Sequence, residues 1–359
     1  MNSSQTLRIE KVSFPKPKPP VSDLGFGKYF SDHMLCINFT RGQGWHSPRV
    51  VPYEAFSMDP GASVLHYGQA LFEGMKAFKQ ENGKIGLFRP EFNYQRMKDG
   101  ADRLCMEMPP KEMFMEGLRA LLKVDQDWIP TQQGCSLYIR PTLIGTESFL
   151  GVRPSDEFLF YVILSPVASY YKEGTSPVKI WVEQEYVRAA PGGLGATKAG
   201  ANYAGSLKAA YNAKNKGYSQ VLWLDVTHQY IEEVGTMNVF FVINDTVITP
   251  SLEGTILNGG TRECVLSLLK KWNYKLEERK LSFKEVQEAV KNKTLKEAFG
   301  TGTAAVISPI GELSTSSEQI LINEGKTGPI AQKLYNELTG IQYGKIADTQ
   351  NWVDVIDTF

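Results

Sequence analysis

The chain has 359 residues, which is enough for two domains with a sizeable hydrophobic core. Its 39 Lys and Arg residues balance 39 Asp and Glu residues, and this zero net charge argues against a broad nucleic-acid-binding surface. The N-terminal stretch lacks the apolar segment of a signal peptide, and the longest strongly apolar run, residues 158–164, is too short to cross a bilayer, so we expect a cytoplasmic protein.

The first half of the chain predicts an arm followed by a small α/β domain. Residues 1–22 are rich in Pro and Lys and predict an extended N-terminal arm, and residues 23–167 mix strands with helices. KIGLFR is predicted to be a strand, PEFNYQRMKDGADRLCM a helix that starts at Pro90, and KEMFMEGLRALLKV a second helix. CSLYIRPTLIG and EFLFYVILSPV predict buried strands.

The second half predicts a larger domain, residues 178–359. The Gly, Ser and Pro residues of 168–177 predict an interdomain loop before it. Strands are predicted at VKIWVEQEYV, QVLWLD, NVFFVIN and TVITP, and helices from Asn202 to about Lys216, ended by Gly217, and from Arg262 to about Trp272. The fold class is therefore α+β or mixed α/β, in two domains.

Cysteine and histidine usage predicts free thiols and no metal site. The four cysteines contain no CxxC pair and no spacing typical of a disulfide framework, as expected in a reducing cytoplasm. The four histidines are scattered without metal-ligand spacing.

One lysine lies among very small side chains in GLGATKAGANYAGS, residues 193–206. A surface turn leading into a helix is the common explanation, because lysine is rarely buried. A nucleotide-binding loop does not fit, since Thr197 precedes Lys198 and Ala199 follows it, whereas a Walker motif needs Gly before the lysine and Ser or Thr after it. The third interpretation is a Schiff-base lysine that reacts with a carbonyl cofactor.

Residues downstream favour the third interpretation with pyridoxal phosphate, which needs a partner at its ring nitrogen, a donor near its phenolic oxygen and a phosphate site. Glu233 is a candidate for the nitrogen, whereas Glu232 is expected to face water. Tyr203 is a candidate donor to the phenolic oxygen. In the alternative interpretation, Tyr203 is an ordinary aromatic residue on the face of a helix that packs in the core. Gly- and Thr-rich stretches at 259–261 and 301–303 are candidates for the phosphate site, the first at a predicted helix start.

The ordered motifs resemble those of the branched-chain amino acid aminotransferases of pyridoxal-phosphate fold type IV. They cover nearly the whole chain and include HYGQALFEGMKAF, LFRPEFNYQRM, SLYIRPTLIGTE, GANYAGSLKA, YIEEVGTMNVFF and FGTGTAAVISP. The resemblance implies a homodimer of two-domain protomers, with the cofactor between the domains and residues 178–359 as the large cofactor-binding domain. The chain departs from the family pattern at Ala201 and at Asn258-Gly259-Gly260, and it has Ala305 and Ser308 where vertebrate members carry a redox CxxC pair.

The resemblance also implies roles for individual residues. The family's Schiff-base lysine falls on Lys198, its phenolic-oxygen tyrosine on Tyr203 and its ring-nitrogen glutamate on Glu233, and these three are the expected catalytic residues. Further cofactor contacts are implied at Arg96, Gly260, Thr261 and Thr303. Substrate contacts are implied at Phe26, Phe72, Tyr138, Arg140, Tyr170, Thr236, Thr303 and Ala304, with Tyr67, Leu150 and Val152 reaching in from the partner subunit.

Arg140 is the expected partner of the glutamate side chain. It lies two residues from Tyr138 on a predicted strand, so both side chains share one face. The alternative is a structural arginine paired with an acid such as Glu147. The turn at Thr303–Ala304 is expected to bind the substrate α-carboxylate through backbone N–H groups.

The implied function is reversible transamination of L-leucine, L-isoleucine and L-valine with 2-oxoglutarate, as in branched-chain amino-acid biosynthesis. A D-amino acid aminotransferase or an aminodeoxychorismate lyase would reuse the same cofactor residues, but YIRPTLIGTE and GTGTAAVISP disfavour both. A non-catalytic pyridoxal-phosphate-binding protein is the remaining alternative, and it would not need an electron-sink acid such as Glu233.

Overall fold

The structure is a computed structural model that describes residues 6–168 and 176–357. Its strands are β1 (Arg8–Ile9), β2 (His33–Thr40), β3 (Gly44–Pro52), β4 (Ala70–Phe72), β5 (Met75–Lys79), β6 (Ile85–Phe88), β7 (Ser136–Gly145), β8 (Glu157–Val167), β9 (Val178–Val182), β10 (Gln220–Leu224), β11 (Ile231–Val234), β12 (Met237–Ile243), β13 (Thr246–Thr249), β14 (Lys275–Glu278), β15 (Leu295–Gly302), β16 (Val306–Ser314), β17 (Gln319–Leu321) and β18 (Val353–Ile356). Its helices are α1 (Ser63–Tyr67), α2 (Pro90–Arg103), α3 (Lys111–Val124), α4 (Gly200–Asn215), α5 (Gly260–Lys271), α6 (Phe283–Lys291) and α7 (Pro329–Gln342).

The chain divides into two compact units. The first comprises Met1–Tyr170, Thr197–Ala201 and Gly340–Phe359, and the second comprises Tyr171–Ala196 and Asn202–Thr339. The predicted boundary places all of residues 178–359 in one domain, and the structure differs from this prediction. Two of its segments belong to the first unit because they pair with strands there: β18 pairs with β6, and Ala199 forms a bridge with Leu71. The predicted loop at 168–177 lies almost entirely outside the described residues.

The first unit is a mixed sheet with α2 and α3 packed against it. Its strands run in the order β1-β3-β2-β8-β7-β5-β6-β18, and β4 pairs with β7. The predicted strands at KIGLFR, CSLYIRPTLIG and EFLFYVILSPV are confirmed as β6, β7 and β8, and α2 begins at Pro90 as predicted. Helix α3 buries its apolar stripe, including Leu118, Leu121 and Leu122, in the core. A Cβ at Gly117 would come within 2.8 Å of Leu35, so this glycine lets α3 lie close to β2.

The second unit contains a closed barrel. Strands β11-β10-β9-β16-β15-β12 are neighbours in that order, and β11 also pairs with β12, which closes the six strands on themselves. Alternate side chains of these strands fill the interior, where Val182, Leu222 and Val239 have no exposed surface. The predicted helices are confirmed as α4 and α5, each beginning two residues earlier than expected, and Gly217 follows α4 with a φ of 87°. Within residues 6–168 and 176–357 we find no helix with the length and apolar character of a membrane span.

Candidate active site

Lys198 lies on the first unit, directly before α4. Its carbonyl oxygen accepts a hydrogen bond from the Phe72 amide at 3.2 Å, and its Nζ lies 4.8 Å from the centre of the Phe72 ring. The next residue, Ala199, is 1% exposed and bridges Leu71. Small side chains therefore let this segment run against β4, and the lysine is half-buried against an aromatic ring instead of standing on a surface turn.

Four further predicted residues of the first unit form a cluster with Lys198. The Arg140 guanidinium lies 4.5 Å from the centre of the Phe72 ring, on which Lys198 also lies. Arg140 Nη2 donates to the Tyr138 hydroxyl at 3.1 Å, and the Tyr138 ring packs edge-on against Phe26 with centroids 4.9 Å apart. The cluster thus joins three aromatic rings with two cations, which suits an apolar substrate side chain and an anionic one.

The alternative interpretation, in which Arg140 pairs with Glu147, is wrong. Glu147 accepts from Arg153 Nη2 at 2.6 Å and from the Asp156 amide at 2.7 Å. Arg140 Nε is buried without a hydrogen-bond partner among the described residues. A buried donor that lacks an acceptor costs free energy, so an incoming carboxylate would satisfy a group that the folded chain leaves open.

Arg96 makes a contact that the sequence did not reveal. Its Nε and Nη2 donate to the two carboxylate oxygens of Glu73 at 2.7 and 2.8 Å. Glu73 is 1% exposed and also accepts from Asn93 Nδ2 and the Gly74 amide. The pKa of Glu73 is lowered overall: burial acts to raise it, and the Arg96 charge, the hydrogen bonds and the Lys198 charge together outweigh burial. One edge of the Arg96 guanidinium is therefore fixed, and any phosphate contact must come from its remaining N–H groups.

We expect Glu73→Gln to destabilise the first unit by about 3–5 kcal/mol, because it leaves the nearly buried Arg96 guanidinium without its carboxylate. For a unit of this size, that loss corresponds to a thermal transition lower by about 6–20 °C. Glu91→Gln is the control, since Glu91 pairs with Lys111 at an exposed position and should cost less than about 1 kcal/mol. Equal transition temperatures for the two variants would contradict the structural role of Glu73.

The three residues assigned to a subunit contact lie on the surface of the first unit. Tyr67, Leu150 and Val152 are 44%, 64% and 86% exposed. The Tyr67 hydroxyl donates to the Leu150 carbonyl oxygen, so the structure brings these two residues together. Tyr170 lies outside the described residues.

The remaining predicted residues lie on the second unit, and several of them lie at one end of the barrel. Glu233 on β11 pairs in register with Asn238 on β12, and Asn238 pairs with Thr301 on β15. This register places two hairpin turns at the same end: the β11–β12 turn, which contains Thr236, and the β15–β16 turn, which contains Thr303 and Ala304. Tyr203 lies half-buried on α4.

Glu233 has a cationic partner, Arg188, that the sequence did not suggest. The Glu233 side chain is 5% exposed, its Oε1 accepts from the Leu257 amide at 2.9 Å, and its Oε2 lies 3.3 Å from Arg188 Nε. Arg188 is 8% exposed and its Nη2 donates to the carbonyl oxygens of Gly195 and Thr255. Arg188 thus brings a buried positive charge beside the Glu233 carboxylate, and this ion pair offsets part of the cost of burying both groups.

The expectation that Glu232 faces water is wrong. Glu232 is 6% exposed, because β11 has neighbours on both sides and is buried over its whole length. Burial raises the pKa of its carboxyl group, while a Thr255 hydrogen bond and the Arg188 charge act in the opposite direction. Glu232 and Glu233 are thus both buried near one arginine, and the direct ion pair of that arginine is with Glu233.

The predicted phosphate site lies at the start of α5. The helix begins at Gly260 after Gly259, and a Cβ at Gly259 would overlap the Asn238 side chain. Asn238 Nδ2 in turn donates to the Leu257 carbonyl oxygen at 2.9 Å, which ties the helix start to the barrel end that carries Glu233. Amide groups in the first turn of a helix have no acceptor within the helix and suit an anion, and the phosphate contacts at Gly260 and Thr261 stay a prediction.

Comparisons with known proteins show the family and the fold of this chain. A family model described as "Amino-transferase class IV" matches residues 70–313. Branched-chain-amino-acid aminotransferase 2 of Bacillus subtilis (strain 168) is 53% identical over 351 residues, which cover 98% of this chain and 97% of the relative. The solved branched-chain amino acid aminotransferase of Escherichia coli has a TM-score of 0.75 and 26% identity, covering 91% of this chain and 99% of its own. The enzyme of Thermobaculum terrenum, solved in its PLP form, shares the fold with a TM-score of 0.71 and 22% identity, covering 91% and 99%.

Proposed function

The chain belongs to the class IV aminotransferases, and from this premise we propose that it transfers amino groups reversibly between branched-chain amino acids and 2-oxoglutarate. The substrates are L-leucine, L-isoleucine and L-valine, and the products are the branched-chain 2-oxo acids and L-glutamate. The observation that carries the proposal is the cluster of Phe26, Phe72 and Tyr138 around Arg140. Aromatic rings suit an aliphatic side chain, and one cation with an unsatisfied donor suits the carboxylate of glutamate.

Pyridoxal 5′-phosphate is the cofactor that the donor set fits. The chain offers an amine at Lys198, a buried carboxylate at Glu233 with Arg188 beside it, and a helix that begins at Gly260 after a glycine. When bound, this cofactor acts as an electron sink for negative charge at the substrate α-carbon. Arg96 and Thr303 are further phosphate contacts in the proposal.

The residues of this chain have three roles in the proposed reaction. Lys198 Nζ would hold the cofactor, and as a free amine it would move the proton at the substrate α-carbon. Glu233 holds a proton at the ring nitrogen, and Tyr203 donates a hydrogen bond to the phenolic oxygen. One site serves both half-reactions, so ping-pong kinetics are expected.

We further propose a homodimer in the cytoplasm. The exposed apolar side chains of Leu65, Tyr67, Phe149, Leu150 and Val152 support a subunit contact through this part of the first unit, because such side chains are rarely exposed together without a partner. All four cysteines are free, which suits a reducing compartment. Sedimentation of the parent and of a Val152→Asp variant tests the dimer.

A coupled assay with each branched-chain amino acid and 2-oxoglutarate tests the proposed reaction. Formation of L-glutamate with all three donors is the expected result. Activity confined to D-amino acids, or release of pyruvate from aminodeoxychorismate, would assign the chain to another class IV activity. Cofactor binding without turnover of any amino acid would support the non-catalytic alternative.

Arg140→Met is expected to impair glutamate and 2-oxoglutarate far more than leucine. The substitution keeps the apolar stem and removes the charge, so a buried carboxylate loses its partner. The expected difference in kcat/KM is about 2–4 kcal/mol, or roughly 30- to 700-fold. Single-turnover half-reactions measure each substrate separately. Arg119→Met is the control, because Arg119 pairs with Asp354 at an exposed position. Equal losses for leucine and glutamate would show that Arg140 supports the fold or the cofactor.

A further inference from the structure

The N-terminal arm is fastened to the first unit at two backbone amides. We call Val12–Phe30 the N-terminal strap. The Val12 amide donates to His33 Nε2 at 2.9 Å, and the Lys16 amide donates to Asp32 Oδ1 at 2.8 Å. Both acceptors lie next to each other at the start of β2, so the strap is tied to the beginning of a strand that lies between β3 and β8.

Both acceptors are themselves fixed by buried partners. His33 is 4% exposed, its Nδ1 lies 2.6 Å from Asp125 Oδ1, and its own amide donates to Asp125 Oδ2. Because Nε2 accepts from the Val12 N–H group, the ring proton is assigned to Nδ1, which faces the Asp125 carboxylate. Asp32 is 6% exposed and its Oδ2 accepts from Trp128 Nε1 at 2.7 Å. The two anchors are thus built into the core and present one acceptor each to the strap.

The sequence of the strap makes it stiff. Prolines at 15, 17, 19 and 20 fix φ and lack an N–H group, so PKPKPP is held extended. The Lys16 amide lies between two of these prolines and is the one bonded to Asp32. Lys16 Nζ also donates to the Ser31 carbonyl oxygen at 2.8 Å, a side-chain contact that is separate from the amide bond to Asp32. The proline run therefore forms a stiff connection from the bonded Lys16 amide to Pro20.

The far part of the strap carries Phe26. Gly25 and Gly27 flank it with φ values of 56° and 70°, a left-handed conformation that other residues rarely adopt. Leu24 is 2% exposed, and the Gly25 carbonyl oxygen accepts from the Ala168 amide at 3.0 Å. This double turn presents the Phe26 ring to Tyr138, inside the aromatic cluster of the candidate site.

We propose that His33 and Asp32 are positioning residues for substrate recognition. They act through the strap: by fixing Val12 and Lys16 they hold Phe26 against Tyr138, and so set the apolar wall that receives a branched aliphatic side chain. The proposal rests on the proposed function and adds to it a device that governs the affinity for the amino donor.

The test removes one anchor without touching the core. Lys16→Pro deletes the amide N–H and extends the proline run, so the bond to Asp32 is lost. Lys18→Pro is the matched control, because Lys18 also lies between two prolines and its amide makes no hydrogen bond within the described residues. Lys16→Met is the second control, since it removes the ammonium group and keeps the amide.

The expected result is a rise of about tenfold in KM for leucine in Lys16→Pro, equal to about 1.4 kcal/mol. Its kcat and its KM for 2-oxoglutarate should stay within about twofold of the parent, as should every parameter of Lys18→Pro and Lys16→Met. Hydrogen exchange measured by mass spectrometry should show a faster Val12 amide in Lys16→Pro only.

Three results would overturn the proposal: no change in KM, a change that Lys18→Pro or Lys16→Met reproduces, or faster exchange at Val12 without a change in KM. Failure of the proposed function gives a different result, because the parent would then show no transamination with leucine. Hydrogen exchange would still report whether Lys16 fastens the strap.

Discussion

Lys198→Ala is expected to abolish turnover while the chain stays folded and keeps part of its cofactor affinity. The backbone of this segment pairs with Phe72 through its carbonyl oxygen, and alanine preserves that pairing. What is lost is the amine over the Phe72 ring, which is both the covalent attachment point and the general base of the proposed reaction. Loss of a positioned general base alone lowers the rate by up to about 10⁴-fold, so we expect turnover in the coupled assay to fall by about that factor.

Covalent trapping identifies the lysine independently of activity. Borohydride reduction of the parent holoenzyme, followed by digestion and mass spectrometry, should place the cofactor on the peptide that contains Lys198. Lys208→Ala is the matched control, because Lys208 lies exposed on α4 and has no role in the proposed reaction. A trapped adduct on another lysine, or turnover in Lys198→Ala near that of the control, would refute the assignment.

Much of the fold could be predicted because its signals are local. Helix α2 has Pro90 at its first position, α4 has Gly217 after its end, and α3 has an apolar stripe at helical spacing, and each of these patterns depends only on neighbouring residues. Local patterns did not predict that the last twenty residues belong to the first unit. Strand β18 joins the first unit by pairing with β6, and such long-range pairing leaves no mark in the residues between them.

The candidate site also combines features that the sequence reveals with features that only the folded chain reveals. Small residues around Lys198 and the glycines before α5 were visible in the sequence, because close backbone approach restricts which side chains fit. The partners of the charged residues were not visible. Glu73 and Arg96 are 23 positions apart, and Arg188 and Glu233 come from separate segments, so only the folded chain brings their charges together. A buried charge without such a partner would be costly, which makes both pairs a consequence of burial.

The Glu233→Gln variant is the strongest test of the cofactor role that we propose for the second unit. The substitution keeps the size and leaves an amide oxygen to accept from the Leu257 amide, but it removes the charge that, in the proposed function, holds a proton at the ring nitrogen. Without that proton the cofactor is a weaker electron sink, and we expect kcat to fall by about 10²–10³-fold. The pyridine nitrogen of isotopically labelled cofactor, observed by NMR, should change from the protonated to the unprotonated chemical shift.

Arg188 also bears on the Glu233→Gln variant, because it is the ion-pair partner of Glu233. Glu233→Gln leaves the buried Arg188 without its ion pair, which should cost about 3–5 kcal/mol of stability and could lower kcat by disturbing the fold. The double variant Glu233→Gln/Arg188→Gln removes the orphaned charge, so its thermal transition should rise above that of the single variant while kcat stays low. Glu232→Gln is the matched control at the adjacent buried glutamate, and it should keep the activity of the parent. Turnover of Glu233→Gln within about threefold of the parent, a difference of only ~0.65 kcal/mol, would refute the ring-nitrogen role. Recovery of kcat in the double variant would show instead that Glu233 serves to neutralise Arg188.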